Sequence, residues 1–217
     1  DRNGMAETYR VVVVDDHPLF RRGVVQLLGM NPIFEVVAEA GDFESAMAAV
    51  RQSEPDLVLL DLNMKNTSGV EILTAVKQED PSIRVIMLTV SDSSADLLQC
   101  FQNGADGYLL KDQEPDQILE DIRRGLNGQT VLSGPMNQVL AECLKEDGFG
   151  KERRMSDLTD RELEILKLIA HGQTNKEIAR VLSISDGTVK VHVKHLLRKL
   201  SFRSRVEAAV WASENNL

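Results

Sequence analysis

Long apolar stretches are missing from this chain. The runs Val11–Val14 and Leu57–Leu60 have four residues each, far short of the ~20 that cross a bilayer as a helix. No cationic segment leading into an apolar run and a small-residue cleavage site opens the sequence, so secretion is not expected. Only two cysteines occur, Cys100 and Cys143, too few for a disulfide framework or a cysteine-built zinc site. Internal repeats and low-complexity tracts are absent as well. A reduced, cytoplasmic protein is the expectation.

What is present suffices for a packed core. Apolar residues make up 42% of 217 positions, and that length suits one large fold or two small ones. The net charge of −9 hides a division: residues 1–150 hold 12 basic and 25 acidic side chains, residues 151–217 hold 13 and 9. The first part is therefore strongly acidic and the second mildly basic, and only the second is expected to meet a polyanion.

Short β-rich runs alternate with helical patterns in the first part. Strands are predicted at Tyr9–Val14, Glu35–Ala38, Asp56–Leu60, Arg84–Leu88 and Gly107–Leu110. Helices are predicted near Leu19–Met30, Phe43–Ser53, Val70–Glu79, Ser94–Asn103 and Pro115–Asn127. Near-continuous apolar strands separated by helices imply a parallel sheet covered on both faces, an α/β doubly wound domain.

The second part has no strand pattern. Thr159-x-x-Glu162 and Thr174-x-x-Glu177 read as capping boxes before apolar-periodic runs. Ser185 is a third N-cap, and Arg205–Ser213 is a fourth helix, giving a small all-α bundle. Residues 1–8 are expected to be disordered or vector-derived, 9–128 to form the first domain and 156–217 the second. Residues 129–155 then form a linker rich in Gly and charge, with a short helix possible at Pro135–Lys145.

Ligands of open parallel sheets bind outside the carboxyl ends of the strands. The first strand ends in Asp15-Asp16, the third in Asp61, the fourth in Thr89 and the fifth in Lys111. Any one of these has an ordinary explanation as a turn or cap residue. Together they make a rim of three carboxylates, a hydroxyl and an ammonium. Oxygen ligands of this kind suit Mg²⁺. One carboxylate is then able to attack a phosphoryl group and form an aspartyl phosphate. Lys111 and Thr89 would supply a cation and a donor to the phosphoryl oxygens.

The segments Asp15-Asp16-His17-Pro18, Leu59-Leu60-Asp61-Leu62-Asn63-Met64, Thr89 and Gly104–Asp112 resemble the receiver domain of two-component response regulators. The resemblance spans residues 9 to about 128 and implies a flavodoxin-like fold of strand order 2-1-3-4-5. It implies Asp61 as phosphoacceptor, with Mg²⁺ held by Asp15, Asp16, Asp61 and the backbone carbonyl of Asn63. It further implies a sensor histidine kinase as phosphodonor, and Thr89 and Tyr108 as a switch pair. Two positions depart from the common pattern. Lys65 replaces a frequent Pro, and Val90 replaces a smaller residue beside the pocket.

Helical projection of Asp186–Leu200 puts Val189, Val193, Leu196 and Leu200 on one stripe. Lys190, Val191, Lys194 and Arg198 share the outward face. An isolated basic helix is usually just a solvated surface. Here the preceding helix Asn175–Leu182 and the short turn Ser183-Ile184-Ser185 make a helix-turn-helix, whose second helix fits a major groove. The stretch from Leu158 to Trp211 is similar to LuxR/FixJ-type domains, which implies base contacts from Lys190, Val191 and Lys194. The same resemblance implies backbone contacts from Thr188 and Arg205. His192 and His195 lack partners at metal-ligand spacing.

Taken whole, the chain resembles NarL/FixJ-type regulators, and within them the nitrate/nitrite response regulators. That resemblance implies a membrane-bound sensor kinase that detects the anion, and a homodimer on paired DNA half-sites. The expectation is a transcription factor, not an enzyme, in which phosphorylation uncovers the cationic helix. A phosphatase with an aspartyl-phosphate intermediate would need a second Asp where Asn63 stands. A regulator gated by a small molecule would leave Asp15, Asp16 and Lys111 without a role.

Overall fold

The computed structural model describes residues 8–127, 131–132 and 153–217. The expected helix at Pro135–Lys145 and the opening residues 1–7 lie outside these. The first domain runs β1 (Tyr9–Val14), α1 (Pro18–Gly29), β2 (Phe34–Ala40), α2 (Phe43–Ser53), β3 (Leu57–Leu60) and α3 (Gly69–Glu79). It continues with β4 (Arg84–Thr89), α4 (Ser94–Gln102), β5 (Gly107–Leu110), α5 (Pro115–Leu126) and β6 (Val131–Leu132). All strand pairs are parallel, in the order β2-β1-β3-β4-β5-β6. The five-strand order 2-1-3-4-5 is present as expected. The sixth strand falls where only linker was read, and it covers the outer edge of β5, which would otherwise offer unpaired backbone groups.

The unbroken apolar runs follow from burial on both faces. In β1, Val11 and Val13 face the side covered by α1 and α5, packing with Val24, Leu28, Ile118 and Ile122. Val12 and Val14 face the side covered by α2, α3 and α4, packing with Met47, Ile72, Leu73 and Leu97. Each such side chain contributes about 1.5–3 kcal/mol on full burial, which keeps apolar residues at these positions. Cys100 is among them, and burial pushes its thiol up to about 12, which leaves it inert at neutral pH.

The second domain holds α6 (Asp160–Ala170), α7 (Asn175–Leu182), α8 (Asp186–Lys199) and α9 (Arg205–Glu214), after a short 3₁₀ turn at Met155–Asp157. Its core gathers Ile165, Leu166, Ile178, Val189, Val193, Leu196, Leu197 and Trp211, with Phe202 edge-on to Trp211 at 5.6 Å. The box at Thr174 and Glu177 is reciprocal. That at Thr159 is only half formed. Thr159 accepts from the Glu162 amide, but the Glu162 carboxylate turns to the Thr159 hydroxyl and to Lys199 Nζ at 2.7 Å. The ammonium outbids the cap amide for that carboxylate.

Candidate functional site

Register brings the polar strand ends together. Val14 pairs with Leu60, and the Asp61 amide donates to Val14 O at 2.9 Å, so Asp15 and Asp61 leave the sheet at one level. Thr89 pairs with Leu110, and the Lys111 amide donates to Thr89 O at 2.8 Å. Helix α3 presses on this rim from above. A Cβ at Gly69 would overlap the carbonyl oxygen of Asp61 and come within 2.7 Å of Leu62 Cα, so only glycine admits this approach.

The rim is a compact electrostatic cluster. Lys111 Nζ lies 2.8 Å from Asp15 Oδ2 and 3.3 Å from Asp61 Oδ1, and 4.2 Å from the Phe20 ring centre. Asp61 is only 3% exposed. Burial raises its pKa, and Asp15 raises it further, against the opposing pull of Lys111. Asp16 Oδ2 accepts from the Lys65 amide at 2.7 Å, so the position that departs from Pro contributes a backbone donor that Pro lacks. Asp16 Oδ1 and Asp61 Oδ2 are buried and accept no hydrogen bond. Buried carboxylate oxygens without donors are costly unless a cation meets them. The acidic pocket of Asp15, Asp16 and Asp61 is thus compatible with Mg²⁺.

Thr89 is fully buried and its hydroxyl accepts from the Asn63 side-chain amide at 3.4 Å and the Ser91 amide at 3.1 Å. Tyr108 lies inward, its hydroxyl donating to Ser91 O at 2.8 Å, and burial pushes its pKa up to about 12. Val90 projects outward, 74% exposed. His17, assigned no role from sequence, enters the cluster with Nδ1 3.0 Å from Asp15 and 3.1 Å from Asp16. Its position directly after the acidic pair was the available signal.

The cationic helix α8 meets the opposite rim of the sheet. Its apolar stripe is buried as the spacing requires, with Leu197 added. On its outward face, Lys190 Nζ lies 2.7 Å from Asp56 Oδ1, at the amino end of β3. Burial alone would lower the Lys190 pKa, but Asp56 and Asp186 hold it above the usual value. Lys194 Nζ approaches Asp80 at 3.9 Å, and Arg198 Nη2 donates to the Glu79 carbonyl at 2.8 Å. Arg203, beyond the helix, donates to the Gln102 carbonyl. Between these contacts lies a crevice of about 430 Å³ lined by Asp56, Glu79, Asp80, Lys190, Val191 and Lys194. Val191 is 52% exposed there.

Two residues expected to contact DNA make contacts within the second domain. Thr188 shares a 2.7 Å hydrogen bond with Ser185 Oγ at the start of α8. Arg205 is buried, donating to Asn175 Oδ1 and, at 2.5 Å, to Gln173 O. Burial, with Arg84 nearby, pushes its pKa down to about 9. Of the receptor residues for α8, Asp56 and Glu79 enter the sequence reading only as element boundaries, and Asp80 has no place in it.

Residues 11–123 match the model of the response regulator receiver domain, and residues 156–212 match that of the bacterial regulatory proteins of the luxR family. The chain belongs to the LuxR-type response regulators. Over 206 residues it is 50% identical to the nitrate/nitrite response regulator protein NarP of Escherichia coli K12, covering 94% of each chain. It is 44% identical over 211 residues to NarL of the same strain, covering 97% of this chain and 98% of that protein. Among solved structures, a LuxR-family two-component response regulator from Aurantimonas sp. SI85-9A1 matches with TM-score 0.59 and 34% identity. That match covers 63% of this chain and 97% of the other. A receiver joined to a LuxR-type DNA-binding domain makes this response regulator a phosphorylation-dependent regulator of transcription. Among the described residues no helix is long and apolar enough to cross a membrane.

Proposed function

We propose that this response regulator carries a nitrate or nitrite signal from a membrane-bound sensor histidine kinase to DNA, by phosphorylation of Asp61 in the cytoplasm. A carboxylate oxygen of Asp61 attacks the phosphorus of a kinase phosphohistidine, the P–N bond breaks, and the imidazole leaves with its electron pair. Asp15, Asp16, Asp61 and the Asn63 carbonyl would hold Mg²⁺, which neutralises charge on the phosphoryl oxygens when bound. Lys111 would pair with those oxygens, and Thr89 would donate to one of them. Slow self-dephosphorylation returns the chain to its resting state. The likeness to NarP and NarL supports the nitrate/nitrite assignment.

Output control rests on one observation: Lys190, on the face proposed to enter the major groove with Val191, Lys194 and Arg198, is held by Asp56 of the receiver. While α8 lies there, duplex DNA is excluded. The seam is polar and incompletely packed around its crevice, so it opens at modest cost, and a homodimer then binds paired half-sites. Thr188 and Arg205 are proposed as phosphate contacts once the domains part. A gel-shift titration of wild type and Asp61→Ala, with and without phosphodonor, tests the gating. Phosphodonor should tighten wild-type binding and leave Asp61→Ala weak; equal, tight binding in all four conditions would refute it.

A further inference from the structure

Besides the Lys111 ammonium, an imidazole nitrogen stands among the carboxylates of the pocket. His17 Nδ1 stands 3.0 Å from Asp15 Oδ1, 3.1 Å from Asp16 Oδ1 and 3.8 Å from Asp61 Oδ2. The four candidate ligand atoms lie within 4.8 Å of one another. Asp61 is almost wholly buried, and its Oδ2 points into this group without a hydrogen-bond donor, as does Asp16 Oδ1. Neighbouring ligands of a divalent ion with bonds of about 2.1 Å stand about 3 Å apart. The imidazole keeps that separation from two carboxylates.

Backbone chemistry holds the ring in place. His17 is the N-cap residue of α1, yet its side chain makes no capping bond to the helix. Its amide donates to Asp15 Oδ1 at 2.8 Å, and Pro18 follows directly, which disfavours helical geometry at His17 itself. The side chain is 54% exposed. Nδ1 shares a 3.0 Å hydrogen bond with Asp15 Oδ1, and in the tautomer with hydrogen on Nε2 its lone pair is open to an ion held by the carboxylates.

We propose that His17 Nδ1 is a further protein ligand, making this a mixed oxygen–nitrogen site that favours later divalent transition ions such as Ni²⁺ over Mg²⁺. Mg²⁺ is a hard ion that keeps oxygen ligands and water, whereas imidazole suits the later first-row ions. The inference rests on the reading that Asp15, Asp16 and Asp61 bind a divalent cation. It adds that the identity of the cation is set by the residue after the acidic pair.

The test uses the full chain and its His17→Phe and His17→Gln variants, titrated separately with Mn²⁺, Ni²⁺ and Mg²⁺ by calorimetry. Electron spin-echo spectroscopy of the Mn²⁺ complex reports any directly bound ¹⁴N. Both variants should lose tenfold or more in Ni²⁺ affinity and a smaller factor in Mn²⁺ affinity, with Mg²⁺ affinity changed less than twofold. The wild-type complex should show imidazole nitrogen coupling that both variants lack. Circular dichroism identifies a variant that has not folded, in which case the wild-type nitrogen signal alone decides. Absent nitrogen coupling, or equal losses for all three ions, would overturn the ligand while leaving the carboxylate pocket intact. Failure of the wild type to bind any of these ions at millimolar concentration would overturn the pocket as well.

Discussion

Lys190 Nζ lies 2.7 Å from Oδ1 of Asp56, and the other oxygen of that carboxylate accepts from the Arg10 amide at 2.8 Å. Asp56 therefore ties the cationic helix to the backbone of β1, just before the strand that ends in Asp61. Replacing Asp56 by Asn keeps the backbone bond and removes the charge. The Lys190 side chain is 46% exposed, so the pair is worth no more than ~1 kcal/mol. Unphosphorylated Asp56→Asn should bind operator DNA about two- to fivefold more tightly than wild type. No gain in a salt-controlled binding titration would show that the pair does not hold the domains together.

Gly104 offers a second way to part the domains. Its φ is +101°, and a Cβ there would stand 2.8 Å from the carbonyl oxygen of Arg203. Gly104→Ala should therefore push the loop between α8 and α9 away from the receiver, besides straining its own backbone by roughly 1 kcal/mol. Limited proteolysis between residues 128 and 153 should accelerate, and basal DNA binding should rise. An unchanged cleavage rate would mean that the seam absorbs the methyl group.

Asp61 is held at a cost. Its pKa is raised by burial first and by Asp15 second, so between the unfolded value of 3.8 and the raised one the folded chain binds more protons. Stability contributed by this group accordingly falls as pH rises through that window. Without divalent ions, Asp61→Asn should melt at a higher temperature than wild type at neutral pH, and the gap should close well below pH 3.8. Mg²⁺ should then stabilise wild type more than the variant. Melting curves with EDTA and with Mg²⁺ check both statements.

Lys77 and Asp106 form a buried pair at 2.6 Å, and Lys77 Nζ also donates to Ile83 O at 2.6 Å. Lys77→Met would strand the Asp106 carboxylate, at a cost of about 3–5 kcal/mol. Urea unfolding should show this loss. A change below 1 kcal/mol would mean that water reaches Asp106 in the variant.

Much of this was legible in the sequence because it depends on periodicity and strand ends. Val11–Val14 could only be a strand covered on both faces, and Asp15, Asp61, Thr89 and Lys111 could be assigned to one rim from their positions alone. The stripe of α8 followed from helical geometry. The clamp on Lys190 was not legible, because Asp56 directly precedes β3 and nothing local marks a strand's amino end as a docking surface. Arg205 looked like a free cation from its neighbours in sequence. Its burial involves Asn175 and Gln173, which follow α6 in the chain and reach Arg205 through the packing of α6 against α9. The half-formed box at Thr159 likewise turned on Lys199, a competitor from a distant helix.

The glycine at the head of α3 gives that helix a mechanical meaning. Its first turn sits directly on the peptide of Asp61, while its last residue, Glu79, and the following Asp80 receive Arg198 and Lys194. Eleven residues at about 1.5 Å rise make a strut of about 16 Å. It spans the sheet from one rim to the other beside β3. Chemistry at one end and restraint at the other thus share a single rigid rod, and a lengthened or kinked α3 should uncouple them even with every charged side chain retained.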